Sequence, residues 1–297
     1  MKNFSTLLVV SSCLLLSAAL GSGQPKERAA EPIVIGSANF AESELLAEIF
    51  AQALEAGGVA VERDFDLGSR EVYLEALKEG KIDLVPEYLG SALRYLGDDA
   101  AAGNPAAAAT QRALRKALEG TELRALDYAE AENTNVVVVT QALADKYGLV
   151  NISDLQNAAN ELVFGGSAEC MERIACYRGL TDLYKLRFRE VKTLDTAGPD
   201  TVKALADGEV DVTFLFSTQG VISEQGFVIL TDDRGAQPAE NIVPVVRADT
   251  AQNLGERLTG PLGAVTQRLT TDELRALNTR LDEGTALKEV ARTWLEN

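Results

Sequence analysis

The sequence contains no histidine. Histidine is the commonest general base, the usual partner of a nucleophilic serine or cysteine, and the commonest metal ligand. No nucleophile motif takes its place, so an enzyme or a metal-dependent protein is disfavoured. We therefore expect no catalytic residues, no metal and no cofactor.

Positive charge is also scarce. Lys and Arg total 28 against 45 for Asp and Glu, which gives a formal net charge of −17. Binding to nucleic acid depends on cationic side chains that meet phosphates, and binding to anionic membranes depends on the same charges. The composition therefore argues against both partners, and a solvated acidic surface is the simplest interpretation.

The longest apolar stretch, Leu7–Leu20, is too short to span a membrane comfortably. Lys2 precedes it and Gly21-Ser22-Gly23 follows it. A basic start, an apolar stretch and small residues are typical of a secretory signal. We predict a signal peptide over residues 1–22 and a tether over residues 23–32, which places the mature protein in the periplasm or at the cell surface.

Only three cysteines are present. Val10-Ser11-Ser12-Cys13 loosely resembles a lipoprotein cleavage box, so a lipid anchor is an alternative to Cys13 as an apolar residue of the signal. Export favours oxidation of Cys170 and Cys176, and we predict a disulfide between them. A redox-active pair is less favoured, because the spacing is not that of thioredoxin-like sites. A metal site would lack further soft ligands nearby.

Strands and helices alternate along the chain, and part of the pattern occurs twice. Leu162–Phe164 runs into Gly165 as Ile33–Ile35 runs into Gly36, and ALADGEVDV at Ala204 resembles ALKEGKIDL at Ala76. The spacings from Gly36 to Gly165 and from Ala76 to Ala204 agree to within one residue. We infer two similar α/β units. Other elements expected are strands at Val59–Leu67, Val136–Val139 and Asn241–Val246, and helices at Ala101–Ala113, Thr181–Leu186 and Thr271–Asn297.

Two similar units with an added C-terminal segment predict a hinged α/β protein that closes on a ligand. We predict that lobe one comprises residues 33–133 plus 241–297 and that lobe two comprises residues 135–240. Polar loops at the carboxyl ends of strands would line the cleft. Four segments qualify: 36–42, 86–91, 132–135 and 216–219.

Each of these segments also has a structural interpretation. Asn39 could cap the first helix, Tyr88 could be a packed aromatic, and Ser217-Thr218 could be a turn. Glu42 and Glu87 could be a carboxylate pair, but nothing in the sequence places them within reach of each other.

The chain resembles the substrate-binding proteins of osmoprotectant and quaternary-amine ABC importers, the glycine betaine/choline type. The resemblance is carried by IVIGSANFAESELLAEIFAQALE, EALKEGKIDLVPEYLGSAL, AENTNVVVVTQALADKYGL, ALADGEVDVTFLFSTQ and DDRGAQPAENIVPVV. It implies a two-lobe, type II periplasmic binding protein with two hinge crossings, acting as a monomer with a membrane permease and an ATPase. Rival interpretations are a sensor domain and an enzyme on the same scaffold.

The family also implies a cage of aromatic rings around a trimethylammonium group. Tyr88 and Ser91 match its strand-end motif, and Tyr177 stands where the second lobe offers a tyrosine. Phe216 and Asn135 stand where better-studied relatives have tyrosines, so glycine betaine, choline, another betaine or ergothioneine all remain candidate ligands. The predicted ligand-binding residues are Asn39, Phe40, Tyr88, Ser91, Asn135, Tyr177, Phe216 and Thr218.

Overall fold

A computed structural model describes residues 32–97 and 106–297, together with Met1. The predicted signal peptide and tether, including Cys13, therefore lie outside the described residues except at Met1 and Pro32. The first part of the predicted helix Ala101–Ala113 also lies outside them. Among the helices that are described, none is long and apolar enough to cross a membrane.

The strands are β1 Ile33–Gly36, β2 Val61–Asp64, β3 Leu84–Tyr88, β4 Leu123–Ala125, β5 Asn135–Thr140, β6 Val163–Gly166, β7 Glu190–Thr193, β8 Val212–Phe216, β9 Phe227–Leu230 and β10 Ile242–Arg247. The helices are α1 Ala41–Ala56, α2 Arg70–Lys78, α3 Leu89–Tyr95, α4 Ala107–Ala117, α5 Gln141–Tyr147, α6 Ala168–Glu172, α7 Tyr177–Asp182, α8 Pro199–Ala206, α9 Val221–Glu224, α10 Ala248–Leu254, α11 Glu256–Arg268, α12 Thr271–Asp282 and α13 Leu287–Glu296. Two 3-10 helices, Ile152–Asn157 and Ala159–Glu161, precede β6.

The strands form two five-stranded mixed sheets with flanking helices. The first has the order β2-β1-β3-β10-β4 and the second the order β7-β6-β8-β5-β9. In the first sheet β2, β1 and β3 are parallel, and β10 pairs antiparallel with β3 and β4. In the second sheet β7, β6 and β8 are parallel, and β5 pairs antiparallel with β8 and β9. We call the first sheet with its helices the first lobe, and the second sheet with its helices the second lobe.

Corresponding residues of the two repeated segments have the same strand pairing in the two sheets. Ile35 pairs with Leu84 in the first sheet, and Phe164 pairs with Val212 in the second. The carboxylate of Asp83 accepts a hydrogen bond from Val34 N at 2.8 Å, and that of Asp211 accepts one from Val163 N at 2.8 Å. The two α/β units are therefore equivalent in structure as well as in sequence.

Two glycines explain part of this equivalence. A Cβ on Gly36 would lie 2.6 Å from Ile82 Cδ1, and a Cβ on Gly165 would lie 2.6 Å from Leu194 Cδ1. Each glycine thus lets its strand, β1 or β6, approach neighbouring side chains that a larger residue would collide with.

The C-terminal segment packs on the first lobe. Helix α1 buries Leu45, Leu46 and Phe50 completely, and α11 and α13 share its core. The single helix expected over Thr271–Asn297 is divided into α12 and α13, because Gly284 adopts φ 87° and ends α12. The helix expected at Thr181–Leu186 instead spans Tyr177–Asp182.

The chain crosses between the two sheets twice, after β4 and after β9, and the crossings are joined to each other. Glu132 forms an isolated antiparallel bridge with Asn241. Ile242 N donates to Ala131 O at 2.9 Å, and Asn133 N donates to Glu240 O at 3.1 Å. These paired crossings form a two-stranded hinge between the two sheets.

Candidate ligand-binding site

A cavity of about 440 Å³ lies between the two lobes, a volume suited to a small solute. Its described lining comes from both lobes and from both crossings. The lining residues are Phe40, Tyr88, Ser91, Arg94, Asn133, Thr134, Asn135, Arg173, Ala175, Phe216, Gln237, Pro238 and Glu240.

Three aromatic rings line this cavity. Phe40 directly precedes α1, Tyr88 ends β3, and Phe216 ends β8. The rings of Phe40 and Tyr88 are stacked with their centroids 6.2 Å apart. Because the carboxyl ends of parallel strands meet at one edge of a sheet, the fold delivers an aromatic wall from each lobe.

The hydroxyl group of Tyr88 is hydrogen-bonded within the protein. Its hydroxyl donates to the carboxylate of Glu42 at 2.7 Å, and this carboxylate also accepts from Asn133 Nδ2 at 2.8 Å and Asn278 Nδ2 at 2.7 Å. Burial and the charge of Glu42 raise the pKa of Tyr88 well above its ordinary value. The phenol therefore stays protonated, and the ring presents its apolar surface to the cavity.

Glu87, the other carboxylate considered from the sequence, has a structural role. It is fully buried and pairs with Arg70, whose Nε lies 2.9 Å from Glu87 Oε1. It also accepts from the hydroxyl of Tyr73 at 2.7 Å. Neither Glu87 nor Glu42 belongs to the described lining of the cavity.

A third carboxylate, Glu240, does line the cavity. It accepts from Ser91 N at 2.8 Å and Ser91 Oγ at 3.0 Å, and it pairs with Arg94 at 2.9 Å. Burial raises the pKa of Glu240, and Arg94 opposes this shift. Gly90 permits the arrangement, since a Cβ there would lie 3.0 Å from the carbonyl oxygen of Ala239.

Several amide and hydroxyl groups complete the wall. Asn135 Nδ2 donates to Ala175 O at 2.8 Å, which ties β5 to the turn after α6. Buried polar atoms of Asn133, Thr134 and Gln237 have no hydrogen-bond partner within residues 32–97 and 106–297. Such atoms are costly to leave unpaired in a protein interior.

Three residues predicted for the site lie elsewhere in the described structure. Asn39 is exposed and Thr218 is buried, its carbonyl accepting from Asn278 at 3.0 Å. Tyr177 packs against Phe164 and Phe188, with ring centroids 4.8 and 6.1 Å away. Phe40, Tyr88, Ser91, Asn135 and Phe216 are the predicted residues that do line the cavity.

The sequence reasoning missed the charged and amide groups of the cavity. Glu240 and Gln237 stand in the segment DDRGAQPAENIVPVV, and Arg173 stands between the two cysteines. No local pattern in either segment shows which of its side chains reaches the cleft. The predicted disulfide between Cys170 and Cys176 is present and closes this turn.

Two α/β lobes, two crossings and a cavity between them define the class of hinged solute-binding proteins. Residues 31–297 match the family described as the substrate binding domain of the ABC-type glycine betaine transport system, and the chain belongs to that family.

Curated relatives agree with this assignment. The chain is 29% identical to the glycine betaine-binding protein YehZ of Escherichia coli strain K12 over 279 residues, which covers 91% of each chain. It is 28% identical to the carnitine transport binding protein OpuCC of Listeria monocytogenes strain 10403S, covering 94% of this chain and 90% of the relative. A solved structure described as a glycine betaine/carnitine/choline ABC transporter has a TM-score of 0.82 at 23% identity, covering 89% of this chain and 97% of that one. This last likeness supports the type II periplasmic binding fold.

Proposed function

We propose that the chain is the exported binding protein of an ABC importer, and that the cavity captures a quaternary amine osmoprotectant such as glycine betaine or choline. One observation carries the ligand class: Phe40, Tyr88 and Phe216 line the cavity from both lobes. A quaternary ammonium has no N–H to donate, so it binds ring faces rather than hydrogen-bond acceptors. Each ring contributes roughly 0.5–2 kcal/mol when the cation is desolvated.

The buried carboxylate of Glu42 supports the same conclusion. It accepts three hydrogen bonds from neutral donors, and none of the described cationic side chains pairs with it. Its negative charge lies at the hydroxyl end of the Tyr88 side chain. In a partly desolvated site this charge favours a cation close to that ring.

The experiment is calorimetric titration of the exported mature chain with glycine betaine, choline, carnitine, proline betaine and ergothioneine. We expect at least one of them to bind. The matched control is a carbon isostere of the tightest ligand, such as 3,3-dimethylbutanoate for glycine betaine, which keeps the shape and removes the cation. Equal binding of the isostere, or no binding of any quaternary amine, would contradict the proposal.

The proposed role requires no chemical step, so the ligand should leave unchanged. Capture is followed by delivery to the permease, and the ATPase drives import. An enzyme on this scaffold is the rival function, and a turnover screen against betaine and choline esters separates the two. Hydrolysis that depends on Glu42 or Glu240 would favour the rival.

A further inference from the structure

Asn278, in α12, joins the two lobes through a single amide group. Its Nδ2 donates to Glu42 Oε2 of the first lobe at 2.7 Å and to the carbonyl oxygen of Thr218 in the second lobe at 3.0 Å. An amide nitrogen carries two protons, so each lobe accepts one of them. Asn278 is half-buried, and no residue of α12 belongs to the described lining of the cavity.

On the first-lobe side, Asn278 contacts a carboxylate that is fixed beside the aromatic wall. Glu42 is only 6% exposed, and its Oε1 accepts from the hydroxyl of Tyr88 at 2.7 Å and from Asn133 Nδ2 at 2.8 Å. Its Oε2 accepts from Asn278. A hydrogen bond to a buried charge is stronger than one between neutral groups, so this side of the link is firm.

On the second-lobe side, α12 holds the segment that follows β8. Thr218 is buried and stands two residues after Phe216, whose ring lines the cavity. Arg275, one turn before Asn278 in α12, donates from Nε to Ser217 O at 2.9 Å. Two successive carbonyl groups next to the Phe216 wall are therefore bonded to α12.

Helix α12 also approaches the second lobe more closely than a side chain would permit. A Cβ on Gly220 would lie 3.0 Å from Thr279 Cβ and 3.1 Å from Thr279 Cα, and closer still to Thr279 Oγ1. Gly220 has φ −57°, which alanine also adopts without strain. Gly220→Ala would therefore push α12 and the second lobe apart without disturbing the local backbone.

These contacts bear on ligand binding because the cavity has an aromatic wall in each lobe. Phe40 and Tyr88 come from the first lobe and Phe216 from the second, so both walls meet one ligand only at the right separation of the lobes. The apparent affinity of a hinged protein is its intrinsic affinity scaled by the fraction of molecules in the binding-competent arrangement. A residue that stabilises this arrangement raises the affinity for every ligand by the same factor.

We propose that Asn278 is a positioning residue for ligand binding: by bonding Glu42 and Thr218 at once, it holds the two aromatic walls at the separation at which both contact one ligand. Gly220 permits the close approach that these bonds require. This inference rests on the proposed function and adds to it a residue outside the cavity.

The first test measures the affinities of glycine betaine and choline by calorimetry, or of the two quaternary amines that the parent binds most tightly. The proteins are the parent, Asn278→Ala and Asn253→Ala, the last being the same change at an exposed position of α10. We expect Asn278→Ala to weaken both ligands by about five- to 50-fold and to leave their ratio unchanged. This is less than the full effect of a hydrogen bond to a charge, because part of the loss falls on folding. Asn253→Ala should alter neither affinity.

An Asn278→Ala protein that binds as tightly as the parent overturns the inference. Weakening of one ligand and not of the other also overturns it, because Asn278 would then act on the ligand itself rather than on the lobes.

The second test disturbs the same contact from the other lobe. Gly220→Ala should weaken both ligands, whereas Gly263→Ala in α11, where a Cβ would meet nothing within 4 Å, should weaken neither. The double variant Asn278→Ala, Gly220→Ala should lose less affinity than the product of the two single effects, because both changes relax one contact. An unaltered affinity in Gly220→Ala, or full multiplication of the two effects, overturns the role of this contact.

Small-angle X-ray scattering of the ligand-free proteins tests the lobe separation without a ligand. Asn278→Ala and Gly220→Ala should each have a larger radius of gyration than the parent, and the two control variants should match the parent. If the parent binds no quaternary amine, the proposed function fails in the titration itself, and the scattering alone decides whether Asn278 holds the lobes. Identical scattering curves for the parent and both variants overturn the inference.

Discussion

At the scale of single residues, the two ends of the Tyr88 side chain have different roles. Its ring lines the cavity beside Phe40, and its hydroxyl donates to Glu42. Asn133 and Asn278 donate to the same carboxylate, so one buried charge joins β3, a crossing and α12. Ligand contact and internal structure can therefore be separated by substitutions at this single position.

We expect Tyr88→Phe to lower the free energy of unfolding by roughly 1–3 kcal/mol, because the buried carboxylate of Glu42 loses one of its donors. Ligand affinity should change little, since the ring remains. Tyr88→Ala should weaken the ligand by about five- to hundredfold through loss of ring contact. Denaturant unfolding and calorimetry on both variants check this. A folded Tyr88→Ala protein that binds as tightly as the parent would make Tyr88 a packing residue only.

At the scale of secondary-structure elements, the turn after α6 depends on a glycine in the next helix. A Cβ on Gly179, within α7, would lie 2.5 Å from the carbonyl oxygen of Ile174. That oxygen belongs to the backbone and cannot rotate away, so the turn can close against α7 only if residue 179 has no side chain. The position of Arg173 at the cavity thus depends on a residue outside the disulfide loop.

Gly179→Ala should therefore lower the free energy of unfolding by roughly 1–3 kcal/mol, the usual cost of forced overpacking. The matched control is Gly263→Ala in α11, where a Cβ would meet nothing within 4 Å. In that helix interior alanine should stabilise by up to about 1 kcal/mol. Denaturant unfolding should show a lower free energy of unfolding for the first variant and a higher one for the control if the contact with Ile174 is decisive. A change of the same sign in both variants would rule that contact out as the cause.

At the scale of the whole molecule, the lobes are connected by more than the two crossings. In α12, Asn278 Nδ2 donates to Glu42 of the first lobe and to Thr218 O of the second. Arg275 Nε donates to Ser217 O at 2.9 Å. Any change in the angle between the lobes must therefore break or rearrange these bonds, so α12 links the two lobes in addition to the crossings.

The crossings also make stability depend on pH. Burial and the charge of Glu240 raise the pKa of Glu132 above its ordinary value of 4.5. The folded state then holds this proton to higher pH than the unfolded state, so the free energy of unfolding falls as pH rises above about 4.5. Glu132→Gln removes the effect, and its stability should decline less steeply over that range than the parent's.

Thermal or denaturant unfolding between pH 4 and 7 measures this difference. Glu62→Gln, an exposed carboxylate on β2, is the control and should follow the parent curve. Parallel curves for the parent and Glu132→Gln would show that Glu132 titrates alike in both states.

Much of the fold was predictable because its signals are local. The valine run at Val136–Val139 lies in β5, an interior strand of its sheet, with its last three valines buried. The repeated segments ALKEGKIDL and ALADGEVDV occupy equivalent places in the two sheets. The division of the C-terminal helix at Gly284 was missed, because a glycine in a helical pattern does not by itself show that a helix ends.

The amino-acid sequence by itself determined the alternation of strands and helices, the duplicated units and the pairing of Cys170 with Cys176, since periodicity, turn residues and short spacing depend on neighbours along the chain. Only the tertiary structure decided that Phe40 reaches the cavity while Asn39 does not, and that Tyr177 packs in the second lobe. It alone brought Arg173 and Glu240 to one wall. These side chains come from segments far apart in sequence, and their meeting depends on how two separately formed sheets are joined by the crossings.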